Sequence, residues 1–428
     1  MRRLAVFVGA ALVFAGCAGS APPAGTPSTT AMTASASSSA SAGPSVAADA
    51  WNQDLDQLDR EVRAFHPNPF TINPESAWVA QLAKIRSTIA TASEDEQLVQ
   101  LASLVGLLDT HSGVGPPTPL QAYELLVYPF SDGWFVIRAK DPSLVGDRLV
   151  SIGGKDVADI EAALRPLVPA DNESGELDGL QGLFSYAAFL HGAGIVGDRA
   201  KPGYALERSN GEAVTVDPSA VDVSAWEDEL GIVGDLVGDA PTAVARRTEP
   251  VWTQSDKKRK TFLISYNDYT EDDLQPAIEK MRAALDDKSA DRVVLDMRYL
   301  RGGNGSLADP LISALTGDPR ISRKGGLVVL IGRENVSAGT VVAGAIDRGT
   351  DAVFVGEETP ARADNFLCEC RDITLANSGY VVTVPTVTLR NGDPRDSIPP
   401  DVPMKLASAD FFAGKDPVLD AVLDDRLP

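Results

Sequence analysis

From Trp51 onward, apolar residues recur at helical spacing. Leu55, Leu58, Val62 and Phe65 fall three or four positions apart until Pro67 and Pro69 interrupt the pattern. Two further helical stretches, at about 76–90 and 94–108, complete a small α-helical cap that closes on Asp109-Thr110-His111-Ser112-Gly113. The period then shortens to two. Segments 125–130 and 134–139 read as strands, 147–150 as another ahead of a turn at Ile152-Gly153-Gly154, and a helix is expected near 157–167. In the last third, strands (261–266, 292–297, 326–331, 351–356) alternate with helices (from an N-cap at Thr270 to about 287, then 306–315 and 337–347). That alternation predicts an α/β layer with parallel pairing.

The first 48 residues lie outside this pattern. Met1-Arg2-Arg3 is followed by an apolar run at 4–14 and then by Ala15-Gly16-Cys17. The run is too short for a bilayer, which needs ~20 residues, and reads as a signal peptide over 1–17. Small residues directly ahead of Cys17 resemble the lipobox of bacterial lipoproteins. That resemblance implies lipidation of Cys17 and export to the outer face of the bacterial cytoplasmic membrane, in the cell envelope. Residues 18–48 carry no charged side chain and are almost all Ala, Ser, Thr, Gly and Pro, which cannot bury enough apolar surface to offset ordering. Segment 18–49 is therefore expected to be a tether, 50–117 the cap, 118–225 a β-rich insert and 226–428 the α/β core.

Composition narrows the function classes. The chain of 428 residues has 38 basic and 60 acidic side chains, a formal charge of −22, which argues against nucleic acid as a partner. Three Cys and three His are too few for a disulfide scaffold or a zinc cluster, and no metal or organic cofactor is expected. With Cys17 lipidated, Cys368 and Cys370 remain, their redox state open.

Chemistry is best placed at two strand-to-helix turns of the α/β layer, since ligands of open α/β sheets bind beyond the carboxyl ends of strands. Gly302-Gly303-Asn304-Gly305 lets main-chain amides approach a substrate oxygen. Asn335-Val336-Ser337-Ala338-Gly339-Thr340 puts a small hydroxyl at a helix start, where it is either a nucleophile beside an oxyanion hole or a plain helix cap. A serine nucleophile needs a base, and no Lys lies between Lys324 and Lys405. Of the three histidines, His191 sits in an apolar stretch and is expected to be packed. His66 stands at a helix end, where a backbone carbonyl is its expected partner. His111 is in a polar turn beside Asp109 and Ser112.

These residues resemble the tail-specific, or C-terminal-processing, serine peptidase family. His66-Pro67-Asn68-Pro69-Phe70 and Asp109-Thr110-His111-Ser112 are similar to its opening, Asp296-Met297-Arg298-Tyr299 with Gly302-Gly303-Asn304 to its central loop, and Ser337-Ala338 to its nucleophile turn. Val355-Gly356-Glu357, Asn377-Ser378-Gly379, Pro400-Asp401-Val402-Pro403 and Asp416-Pro417-Val418-Leu419 follow in the family's order, so the likeness spans about 51–425. It implies a ClpP/crotonase-like α/β core interrupted by a PDZ-like insert, Ser337 as nucleophile, and an oxyanion hole from the amides of Ala338 and of Gly302 or Gly303. Where the processing branch has a Lys base this chain has Arg362, which cannot deprotonate to serve. The tricorn-core branch instead takes its base from a His at the end of the cap, the place of His111. Asp396 is then the expected acid, with Glu357 in reserve.

The expected activity is hydrolysis of a polypeptide substrate by acyl transfer. The rival from another class is an inactive peptidase-like module that binds a peptide or a lipophilic ligand. An acyl-CoA enzyme fits an exported lipoprotein poorly. The insert could recruit peptide by strand addition.

Overall fold

The computed structural model describes residues 47–224, 241–270, 274–364, 366–367, 369–390 and 392–424. The signal peptide with Cys17, nearly all of the tether, part of the expected start of the helix after Thr270, and Cys368 lie outside the described residues.

The architecture is mixed α/β with several sheets. The largest layer of the last third is six-stranded: Val251–Asp256, Thr261–Tyr266, Arg292–Asp296, Leu327–Ile331, Val353–Gly356 and Val402–Pro403, in that order. The first pair is antiparallel and every later pair parallel. Strands of the Val-Val-Leu type read as continuous apolar runs because both faces are covered. Val293, Leu295, Leu327, Val329 and Ile331 pack against the helices Leu274–Asp286, Asp309–Gly317 and Ala338–Gly349. Their neighbours Val294, Val328 and Leu330, with Val355, turn to the other side and meet Val418 and Val422 of the helix Pro417–Leu423. The period of two in the strand thus sorts one apolar run into two cores.

A buried ion triad fastens that last helix. The Arg298 guanidinium lies between Asp296 (2.7 Å) and Asp416 (2.5 Å). Burial opposes the charge on Arg298, yet the two carboxylates hold its pKa well above the ordinary value. Burial likewise pushes against ionised Asp416, and Arg298 overrides it, holding that carboxyl low.

The cap is formed by Ala48–Phe65, Glu75–Arg86 and Glu94–Val105, the third opening on a capping box between Ser93 and Glu96. Cap and insert share one apolar core, which also takes Ile373, Leu375, Tyr380, Val382 and Val384. Those last residues come from the C-terminal third. The hairpin Arg371–Thr374 and Val381–Val384 leaves the six-stranded sheet and pairs, antiparallel, with Gly113–Gly115 at the end of the cap. Asp54, fully buried, receives the main-chain N–H groups of Asn377 (2.9 Å) and Ser378 (2.8 Å) at the hairpin tip.

The insert carries the sheet Leu125–Phe130, Gly133–Ala139, Arg148–Ile152, Tyr204–Glu207 and Ala213–Val216. It is also more helical than its strand pattern predicts, with Glu173–Leu183 and Ala187–Gly192 following Val157–Leu164. The outer edge of Leu125–Phe130 is occupied at three points. The Leu125 carbonyl accepts from Ser185 Oγ (2.7 Å), the Pro129 carbonyl from Arg333 (2.8 Å), and Ser131 N–H donates to the Leu406 carbonyl (3.0 Å). Strand addition there would have to break these bonds.

Candidate active site

Ser337 follows the strand Leu327–Ile331 and precedes the helix Ala338–Gly349. Its backbone has φ 56° and ψ −120°, a left-handed conformation that costs an L-residue on the order of 1–3 kcal/mol. The side chain makes no capping hydrogen bond to the helix, so Ser337 is not the plain cap that a serine at a helix start is expected to be. The first helical amides, which have no partner within the helix, are thus not capped by this hydroxyl.

The loop of Gly302 and Gly303 is bound to this elbow by Asn335. Fully buried, Asn335 donates from Nδ2 to the carbonyls of Met297 and of Leu300 (3.1 Å), and accepts the Gly332 N–H at Oδ1 (2.8 Å). Gly339 N–H donates to the Arg301 carbonyl (2.9 Å). A Cβ at Gly339 would lie 2.0 Å from the Leu300 carbonyl oxygen, so only glycine permits this approach. Arg301 also pairs with Glu334 of the elbow (3.0 Å). Gly303 is pressed against the Tyr269 ring, where a Cβ would come within 2.6 Å. These bonds tie the chain just ahead of Gly302 and Gly303 to the turn of Ser337 and Ala338.

The histidines are arranged differently from the sequence reading. His66 is buried and meets a carboxylate, not a carbonyl: its Nε2 is 2.5 Å from Asp109 Oδ2. Asn68 N–H donates to His66 Nδ1 (3.1 Å), which puts the ring proton on Nε2, the donor to Asp109. Asp109 also accepts the His111 N–H (2.9 Å) and the Ser112 hydroxyl (3.2 Å). Burial raises the Asp109 pKa, but the His66 bond and the two imidazoles outweigh it and hold the carboxyl low.

His111 is 3% exposed, its Nδ1 3.8 Å from Asp109 Oδ1. Neither ring nitrogen has a hydrogen-bond partner among the described residues, so no such bond yet joins it to Ser337. Burial lowers its pKa, Asp109 pulling the other way. A buried imidazole left unpaired is rare where only packing is at stake. His191, expected to be packed, is half-exposed and pairs with Asp95 (2.7 Å).

The expected acids stand elsewhere. Asp396 is exposed, and its main-chain carbonyl accepts from Asn172 Nδ2 (2.7 Å). Glu357 faces Arg333 (3.3 Å). The carboxylate at His111 is Asp109, which the sequence reading noted only as a neighbour although the two-residue spacing in Asp109-Thr110-His111 held the signal. Cys370 is disulfide-bonded, to a partner outside the described residues, and its Sγ lies 3.8 Å from the His111 carbonyl oxygen. Clefts of about 280 and 630 Å³ between insert and core share Arg333, Glu357 and Lys405.

Solved structures share this arrangement of elements. Mature CPAF complexed with lactacystin superposes with a TM-score of 0.62 at 16% identity, over 89% of this chain and 97% of that one. A serine-to-alanine CPAF mutant gives 0.61 at 15%, over 88% and 96%. The chain has the CPAF fold. The photosystem II D1 C-terminal processing protease aligns over 87% of this chain and 96% of that one, at 14% identity and a TM-score of 0.41. No protein-family model and no curated protein matches the sequence. The likeness to the CPAF structures is one of fold, the mixed α/β arrangement described above.

Proposed function

We propose that this chain is a serine-type peptidase that hydrolyses polypeptide substrates by acyl transfer. The observation that carries the reading is the Ser337 elbow, held in a left-handed conformation beside a Gly302-Gly303 loop that Asn335 ties to it. Ser337 Oγ attacks the peptide carbonyl, and His111 takes its proton at Nε2 and returns it to the leaving amine. The amides of Ala338 and of Gly302 or Gly303 hold the oxyanion. Asp109, facing Nδ1, supports the imidazolium in the part first expected of Asp396. The finer fold reading, a ClpP/crotonase-like core with a PDZ-like insert, belongs to the same proposal. So do export and tethering to the membrane through a lipid on Cys17.

A fluorophosphonate probe tests the reading. Wild type is expected to be labelled and to cleave an unfolded polypeptide, and Ser337→Ala to do neither while keeping its melting temperature. The rival, a binding module without catalysis, draws on the buried ring of His111 and its lack of a bond to Ser337. Labelling absent from wild type as well favours that rival. Cys17→Ser moving the protein from the membrane to the soluble fraction supports the anchor.

A further inference from the structure

Asp171, in the insert, reaches both the His111 loop and the core. Its Oδ1 accepts the Thr110 N–H (3.1 Å) and its Oδ2 the Arg362 N–H (2.8 Å). Its own N–H donates to Thr110 Oγ1 (2.9 Å), and that hydroxyl donates to the Pro360 carbonyl (3.2 Å). The next residues keep the grip: Asn172 Nδ2 donates to the Thr359 carbonyl (3.0 Å) and Ser174 Oγ to the Glu358 carbonyl (2.8 Å). A Cβ on Gly175 would lie 2.8 Å from the Pro360 oxygen, so the helix start fits only with glycine there.

Two amide donors from two different loops converge on one buried side chain, and only a carboxylate offers an acceptor to each. An amide side chain has one acceptor and would set its NH₂ against the second N–H. Thr110, one of the two donors, is the residue directly before His111. We infer that Asp171 is a positioning residue for the His111 base, its ionised carboxylate fixing the imidazole loop against the core from the insert side. The inference rests on His111 acting as the base.

Protonation converts one carboxylate oxygen into an O–H donor and deprives one amide of its acceptor. Burial and the Asp109 charge push the Asp171 carboxyl up to about 7, against its two amide bonds and the Arg362 guanidinium. The charged groups that act on it are Asp109 from the loop after the cap, which itself meets His66 and His111, and Arg362 from the core. An acid limb near neutral pH follows, above the one His111 sets, since burial keeps that ring below 6.5.

The test compares wild type, Asp171→Asn and His111→Ala across pH 5–8. It measures melting temperature, kcat and KM on a peptide, and the rate of fluorophosphonate labelling of Ser337. Expected for Asp171→Asn is a folded protein with kcat and labelling lowered ~10–100-fold, KM little changed, and the limb near pH 7 gone. Wild-type rates and pH profile in Asp171→Asn overturn the inference alone, provided His111→Ala is inactive. Wild-type labelling in His111→Ala overturns the base reading and the inference with it. If Asp171→Asn unfolds, Asp171→Glu, which keeps both acceptors, is expected to restore the fold and the neutral limb together; a fold restored with no such limb overturns the inference.

Discussion

Asn335 Nδ2 donates to the main-chain carbonyl of Leu300 at 3.1 Å, and that bond joins the Ser337 elbow to the chain leading into the glycine loop. An oxyanion hole assembled from two loops needs such a brace, because its amides must be aimed before the charge develops. Asn335→Ala leaves the Leu300 and Met297 carbonyls and the Gly332 amide without their buried partner, and is expected to destabilise by roughly 2–4 kcal/mol. The larger effect is on kcat, with ~100-fold lost as for removal of an oxyanion donor. Denaturant unfolding and steady-state kinetics check both, and an unchanged kcat refutes the brace.

Ser337 carries backbone strain that a glycine in its place would not. At φ 56° and ψ −120° the Cβ is what costs energy. Ser337→Gly is therefore expected to be more stable than Ser337→Ala by about 1 kcal/mol, since glycine takes this φ without the Cβ penalty and is also the better of the two ahead of a helix. Both variants lose activity. Equal melting temperatures would mean the elbow is unstrained.

Why some of this was legible in the sequence and some was not follows from the range of the interactions. The strands Arg292–Asp296 and Leu327–Ile331, and the elbow at Ser337, are set by local patterning and by glycines whose positions carry their own geometric meaning. The hairpin of Val381–Val384 looks like any other hairpin, and its docking on Gly113–Gly115 comes from a shared core more than 260 positions away in the chain. The helix Glu173–Leu183 contains Gly175, Gly179 and Gly182, which lower helix propensity and hide it from a periodicity reading. Two of those glycines are there for close approach, to Pro360 and to Val168. The His66–Asp109 pair joins residues 43 apart, and nothing local in either segment announces it. Asp396 is an expected acid only by its place late in the chain, and the position of a carboxylate in a loop does not fix which way it faces.

The buried triad at Arg298 gives a prediction with its own pH signature. Arg298→Ala strands the carboxylates of Asp296 and Asp416, at 2.7 and 2.5 Å from the lost guanidinium, and is expected to cost about 3–5 kcal/mol. In wild type the Asp416 carboxyl is held below 3.8, so its contribution is present above that value and is lost only in stronger acid. Without Arg298 the stranded carboxylates are relieved by protonation. The deficit relative to wild type is thus expected to shrink as pH falls from 7 to 4; a deficit independent of pH would show that packing, not charge, is what Arg298 supplies.

His111 should be visible in the pH dependence of stability as well as of activity. Burial holds its folded pKa below the 6.5 of the exposed ring, so as pH falls through 6.5 the unfolded chain takes up a proton that the folded chain refuses. Stability contributed by the neutral ring is complete above 6.5 and declines below it, with a limiting slope of about 1.4 kcal/mol per pH unit for one proton. Asp171 works in the opposite direction. Its carboxyl is raised to about 7 from 3.8, so between those values the folded chain binds the proton first and gains stability as pH falls. In wild type the two effects overlap and partly cancel, which makes the wild-type profile alone uninformative. His111→Gln keeps a polar side chain of similar reach but does not titrate. Its stability relative to wild type is expected to become steadily more favourable as pH is lowered from 7 to 5, as followed by urea midpoints at fixed ionic strength. A difference that stays level over that interval would mean the folded ring protonates as readily as a free one, and that burial does not hold it neutral.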